Sequence, residues 1–351
     1  MKIIIVIIMV AALQGCIVKT EYTSPKAIEL DNMVELKESV LLEQNKECYI
    51  QEPYKMIKAK NYYIIYGFKF GVLVFDNKGK FIRRIGKKGN GPGEYSQFFS
   101  VHYIDENNIV IHSTDSRKML IYNINGELIS EQNTKTPAII ENIIKYNDNY
   151  YLYGPLNENY MIERFDKYYN YKDGVLKIPD KYAKYLKAGY LGGSMLFMGG
   201  DSVAEINQYD KDKMKIIKLS SYETKTIVLN NPNILSEIVP SNSKSNYQLN
   251  KQIRTGTNYY KIFYYAGRYI IIYTFDYPDV QKYDIYVGSM IYDLKEKKVY
   301  YDIKRMFRPY KIFDYADDKY LYRIETVNNS ASYYNNSLEI YVREYAFKDT
   351  K

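Results

Sequence analysis

From about Leu36 onward the chain consists of short runs rich in Ile, Val, Tyr and Phe, broken at close intervals by Asn, Asp and Gly. Runs of this kind bounded by turn formers predict β-strands, because an amphipathic helix needs apolar positions at a 3.6-residue spacing over a longer stretch. Two hairpin turns stand out: Asp76-Asn77-Lys78-Gly79 after Leu73-Val74-Phe75, and Asn123-Ile124-Asn125-Gly126 after Leu120-Ile121-Tyr122. Each places Gly where the turn calls for a positive φ. The segments Val74 to Ile82 and Ile121 to Ile129 align on each other at an offset of 47 residues, from position 74 to position 121. A strand repeat of that length predicts propeller blades.

A polar turn leading into an apolar strand recurs at Asn61-Tyr62, Asn107-Asn108, Asn149-Tyr150, Asp201-Ser202, Arg268-Tyr269 and Asp318-Lys319. Six such turns predict an all-β fold, a six-bladed β-propeller with four-stranded antiparallel blades. A ring whose ends do not pair exposes two sheet edges, so Val34 to Leu42 is expected to join the last blade beside Leu338 to Phe347. The spacing widens at Pro179 to Gly189, which fits a short helix through Tyr182, Tyr185 and Leu186, and at Asn230 to Asn258, a polar insertion. Insertions in repeat proteins map to loops, often at the functional face.

The N-terminus reads differently. Lys2 precedes an apolar run from Ile3 to Leu13, too short for a stable membrane span and suited to a signal peptide. The run ends in Leu13-Gln14-Gly15-Cys16, which resembles the lipobox of bacterial lipoproteins. The resemblance implies that residues 1–15 are a signal peptide and that Cys16 becomes an acylated first residue carrying palmitate-like chains. Each buried methylene then contributes about 0.8 kcal/mol of anchoring. Residues 16–33 mix Lys, Thr, Glu, Ser, Pro and Asn without apolar periodicity and read as a mobile tether, leaving 34–351 as the propeller. The expected address is the cell envelope, lipid-anchored at the outer membrane. Bacteroidetes-type surface lipoproteins often carry acidic residues directly after the lipid cysteine; here Ile17-Val18-Lys19-Thr20 precede Glu21, so the face of the membrane stays open.

A second resemblance rests on Ile85-Gly86-Lys87-Lys88-Gly89-Asn90-Gly91-Pro92-Gly93-Glu94-Tyr95, followed by Ile109-Val110-Ile111, Asp115-Ser116-Arg117 and Ile121 to Gly126. This stretch is similar to the six-bladed β-propeller lipoproteins of Bacteroidetes, themselves similar to NHL-repeat proteins. The resemblance implies that the glycine-rich segment links the outer strand of one blade to the inner strand of the next, and that an Asp with a nearby Arg braces a blade hairpin. The glycines with Arg83, Arg84, Lys87 and Lys88 do not read as a phosphate cradle. A P-loop needs Gly-Lys-Ser/Thr opening a helix, whereas Tyr95, Phe98 and Phe99 lead into another strand.

With 46% hydrophobic side chains in 351 residues, the chain can bury a real core. Its 49 Lys plus Arg against 41 Asp plus Glu give a net charge of +8 spread along the whole length, which argues against a nucleic-acid tail, and no nucleic acid is expected as a partner. Two His and two Cys exclude zinc fingers, iron–sulfur clusters and disulfide frameworks, so neither metal nor cofactor is assigned. The two imidazoles, His102 and His112, flank the Asp105 to Asn108 turn. Paired positions summing to 213 would put them on opposite faces, and 214 would set them facing each other. Cys48, the second thiol, reads as a buried small hydrophobe. The 43 Tyr suit half-exposed strands, and in a funnel would suit sugars or peptides.

These features point to a monomeric, non-catalytic binding or scaffold propeller for a protein, peptide or glycan, held to the membrane through Cys16. Candidate ligand contacts are Tyr185, Tyr190, Lys244, Tyr247, Lys251 and Arg254, on the departures from the repeat at Tyr182 to Gly193 and Asn230 to Asn258. No catalytic residue is assigned, because 41 acidic residues offer no privileged spacing. The alternative is a metal-dependent hydrolase or lyase resembling six-bladed lactonases, with a divalent ion held by Glu, Asp and Asn of inner strands. Convergence of carboxylates in the channel discriminates the two.

Overall fold

The structure is a computed structural model and describes residues 19–22, 25–28, 30–134, 140–154, 160–180, 193–207, 210, 212–230, 256–277, 286–302, 305–306, 312–328 and 338–348. Six antiparallel sheets follow one another along the chain. Blade 1 comprises Lys55–Ala59, Tyr62–Gly67, Gly71–Asp76 and Phe81–Ile85. Blade 2 comprises Phe99–Asp105, Asn108–Ser113, Lys118–Asn123 and Leu128–Asn133. Blade 3 holds Asn142–Tyr146, Asn149–Tyr153, Tyr160–Asp166 and Tyr171–Lys177; blade 4 holds Gly193–Phe197, Ser202–Asn207, Lys213–Lys218 and Thr224–Val228. Blade 5 is made of Gly256–Tyr265, Tyr269–Tyr277, Tyr286–Asp293 and Lys298–Asp302, with Arg305–Met306 beside its third strand. Blade 6 takes Tyr315–Ala316, Leu321–Asn328 and Leu338–Phe347 from the end of the chain and Val34–Leu41 from its beginning. All six turns read from the sequence open the second strand of a blade.

The first strands of successive blades touch in an unbroken cycle that returns from blade 6 to blade 1, and so define the central axis. Between neighbouring blades lie six apolar cores. Ile57 and Val72 meet Val101 and Leu120 between blades 1 and 2, and Val110 meets Ile143 and Leu152 between blades 2 and 3. Met161 meets Met195 and Ile217, Ile206 meets Ile272 and Val299, and Phe263 and Ile291 meet Phe313 and Leu321. The sixth core closes the ring, with Val40, Tyr322 and Val342 of blade 6 against Met56, Ile65 and Phe75 of blade 1; Cys48 is fully buried there. A blade packed on both faces needs apolar residues in succession, which is why Ile109, Val110 and Ile111 run without alternation. Outer strands face solvent on one side and are polar, as in Leu128–Asn133.

The closing strand is where the sequence placed it. Val34–Leu41 pairs antiparallel with Leu338–Phe347, from Val34 opposite Phe347 to Leu41 opposite Tyr341. The segment expected to be a tether takes on structure before that point. Lys19–Tyr22 adds a parallel fifth strand to blade 4 along Thr224–Val228, and Pro25–Ile28 adds one to blade 5 along Lys298–Asp302. A four-residue helical turn, Leu30–Met33, then buries Leu30. Four-residue edge strands pair through the backbone, so they leave no periodic mark in the side chains. Among the described residues no helix is long and apolar enough to cross a membrane.

Both repeat turns carry Gly at positive φ, +80° at Gly79 and +87° at Gly126. The glycine-rich segment links the outer strand of blade 1 to the inner strand of blade 2, with Lys87–Lys88 pairing parallel to Glu94–Tyr95. Gly93 has φ +68°; its N–H donates to Glu131 at 2.6 Å and its carbonyl accepts from the Tyr122 hydroxyl. A Cβ there would lie 3.2 Å from Leu128. Gly93→Val is therefore expected to lower stability by about 1–3 kcal/mol, read as a shift in the urea midpoint at unchanged slope. An unshifted midpoint would mean that the segment carries no structural demand for Gly. Among the described residues no ion pair joins Asp115 and Arg117, where the resemblance implied the brace; Asp–Arg pairs form instead at Arg164–Asp173 and Arg268–Asp293, at 2.6 and 2.5 Å.

Candidate functional site

In an antiparallel four-stranded blade, the start of the first strand, the end of the second, the start of the third and the end of the fourth share one end of the ring. Residues flanking both insertions lie at that end, because Asp180 and Asn230 follow fourth strands while Gly193 and Gly256 open first strands. The insertion predicted to run to Asn258 ends earlier, since Gly256 to Asn258 already pair in blade 5. Cys16, Tyr185, Tyr190, Lys244, Tyr247, Lys251 and Arg254 lie outside the described residues, as does most of the expected short helix.

At the same end the first strands place polar side chains on the axis at a common register. Lys55 of blade 1, Asn142 of blade 3 and Lys261 of blade 5 each stand four residues before the last residue of their paired stretch, Ala59, Tyr146 and Tyr265. Asn142 donates to the Met195 carbonyl of blade 4, tying two inner strands together. Lys261 Nζ lies 2.9 Å from Asp314 of blade 6, and the second oxygen of Asp314 accepts the Ile324 N–H at 2.8 Å.

Lys55 opens the first strand of blade 1 at this end and is half-buried. Burial holds its ammonium below the usual lysine range and the charge of Lys261 adds to that, while Glu141 and Asp314 act in the opposite direction. Those three charges come from blades 5, 3 and 6, so a group on blade 1 senses them together only from the axis. Lys55 keeps partial solvent contact while protein surrounds it, which describes a channel. Burial likewise pushes the Glu141 carboxyl up, against the pull of Lys55.

His102 sits one blade on. Burial, then the charges of Lys55 and His112, hold it well below the ordinary imidazole range, so it is neutral at pH 7. Its Nε2 lies 2.7 Å from the Ser100 hydroxyl, which donates to the Ile140 carbonyl at 3.3 Å. These contacts tie the first strand of blade 2 to the entry of blade 3 across the seam.

Neither histidine register expected from the turn is the one formed. Asp105 pairs with Asn108, but a bulge at Ile104 shifts the ladder so that His102 opposes Val110 and His112 opposes Ser100. The two imidazoles share a face on a diagonal. Among the described residues no group of three or more His, Cys, Asp or Glu is placed to hold a metal ion. In the channel, lysines stand beside the carboxylates.

A closed ring of six four-stranded blades around a polar channel defines a six-bladed β-propeller. Over residues 16–264 the sequence matches the family described as a domain of unknown function, DUF4934, and the chain belongs to that family. Two solved structures share the fold. A Bacteroides fragilis protein whose name calls it exported superposes with a TM-score of 0.67 at 16% identity, over 94% of this chain and 99% of its own. A DUF4221 member from Bacteroides vulgatus gives 0.62 at 12% identity, over 90% and 99%. No curated protein matches the sequence.

Proposed function

We propose that the chain is an envelope-anchored, non-catalytic binding propeller that engages a protein, peptide or glycan at the end of the ring where its first strands begin. One observation carries the reading: the residues flanking both long insertions lie at the end that holds the axial lysines. Long loops around one mouth of a rigid ring supply variable contacts on a fixed scaffold. The exported name of the Bacteroides fragilis neighbour and the Leu13 to Cys16 motif support an envelope address, with acyl chains on Cys16 as the anchor and a monomer as the working unit.

Two changes test the two halves of this reading. Cys16→Ser should move the protein from the membrane to the soluble fraction, and a variant that stays in the membrane fraction with its leader removed refutes the lipid anchor. Replacing Ser241 to Arg254 with a Gly-Ser link should leave the melting temperature nearly unchanged and cut recovery of envelope partners on immobilised protein. Equal recovery removes that insertion, with Lys244, Tyr247, Lys251 and Arg254, from the binding face.

A further inference from the structure

Near the start of the first strand of blade 1 two aromatic rings, Phe98 and Tyr54, stay largely exposed, while Phe68 beneath them packs against the blade 1–2 core. Phe98 is 57% exposed and Tyr54 47%, and both contact Phe68, with ring centroids 5.8 and 4.8 Å apart. Phe68 also meets the buried Phe99 edge-on at 6.0 Å. Its carbonyl accepts from Gln97 at 3.2 Å and from Lys88, so the array is braced from beneath. Tyr54 immediately precedes Lys55, and Phe98 immediately precedes the first strand of blade 2. Both rings therefore lie at the end of the ring where the first strands begin, the end at which Lys55 stands.

The charges there differ in how far they are satisfied. Lys261 is paired with Asp314, whereas the Lys55 ammonium has no hydrogen-bond or ion-pair partner among the described residues; Glu141, its nearest electrostatic counterpart on blade 3, is pushed toward the neutral form by burial. A cation held in a channel without a partner favours an incoming anion, because the cost of removing it from bulk water has already been met.

We propose that this mouth is a subsite for an acidic oligosaccharide, with a sugar ring on Phe98 and Tyr54 and a uronate-type carboxylate on Lys55. The aromatic faces cover the apolar face of a pyranose, and the channel ammonium selects the acid. The inference rests on the binding reading above but places the ligand on blades 1 and 2, independently of the insertions. A peptide rich in acidic residues is the competing occupant.

Calorimetric titration of the full chain with tetragalacturonate, its methyl ester and tetraglutamate tests it. The free acid should bind at least tenfold tighter than the ester, and Phe98→Ala should weaken both. Lys55→Met should bind acid and ester equally. Phe98 is exposed, so its variant keeps the test open if the Lys55 variant fails to fold. Absence of binding to tetragalacturonate, an acid-over-ester preference that survives Lys55→Met, or equal binding of tetraglutamate each overturns the proposal. The protein shortened at Ser241 to Arg254 should bind tetragalacturonate unchanged. Loss of envelope partners in that variant, with no uronate binding by the wild type, would sink this subsite and leave the wider binding reading in place.

Discussion

A chain begun at Glu43 is expected to show no cooperative unfolding transition, whereas one begun at Leu30 melts within a few degrees of the full chain. The first lacks Val34–Leu41, the outer strand of blade 6, which pairs at seven positions with Leu338–Phe347. It also loses the buried side chains of Leu30, Val34, Val40 and Leu42. At about 1.5–3 kcal/mol each, these four contribute roughly as much as the whole net stability of a typical domain, about 5–15 kcal/mol. The loss also leaves the edge of Leu338–Phe347 unpaired, with Ile340 and Val342 uncovered, a template for aggregation. Of the described residues, beginning at Leu30 removes only the short parallel strands on blades 4 and 5. Scanning calorimetry on the two chains decides the matter, and a normal transition from the Glu43 chain would show that the ring holds without its closing strand.

The six hairpins were legible because each pairs an Asn, Asp or Arg turn with a run that is buried on both faces. Later copies of the Gly79 turn were not, since the chain fills the left-handed position with other residues: Tyr169 at φ +58°, Tyr222 at +59° and Lys297 at +55°. Asp166 nevertheless repeats the work of Asp76, each accepting two backbone N–H groups through one oxygen, and Tyr169 stacks on Tyr150 at 4.4 Å. A search for Asp or Asn three residues ahead of the left-handed position, as in Asp76 to Gly79 and Asn123 to Gly126, finds the third copy at Asp166 to Tyr169. The axial cluster escaped for a different reason. Lys55, Glu141, Lys261 and Asp314 come from four blades and form no local motif; their signal is a polar side chain near the start of a strand that then turns apolar. The bulge at Ile104, which sets the histidine register, has no distinctive residue type at all.

The blade 2–3 seam should make stability fall with acid in a way that His112→Leu largely removes. His112 is fully buried, and among the described residues neither ring nitrogen has a hydrogen-bond partner. Burial lowers its pKa from the ordinary 6.5 to about 4. In the unfolded chain the imidazole takes a proton as pH drops through 6.5, while the folded protein resists protonation until about 4. The contribution is thus intact above pH 6.5 and lost progressively down to about 4, amounting to about 3 kcal/mol at 1.36 kcal/mol per pKa unit. Other groups also titrate in this window: His102 shifts in the same direction, whereas burial raises Glu141 and Glu205 and opposes the trend. The informative quantity is therefore the difference between wild type and His112→Leu in urea unfolding at pH 7, 5.5 and 4.5. At pH 7 the variant should be at least as stable, since an apolar side chain replaces two unpaired polar atoms. Its advantage should then grow as the pH falls. A difference that stays constant across the three values would mean that His112 is paired in solution and does not titrate in the seam.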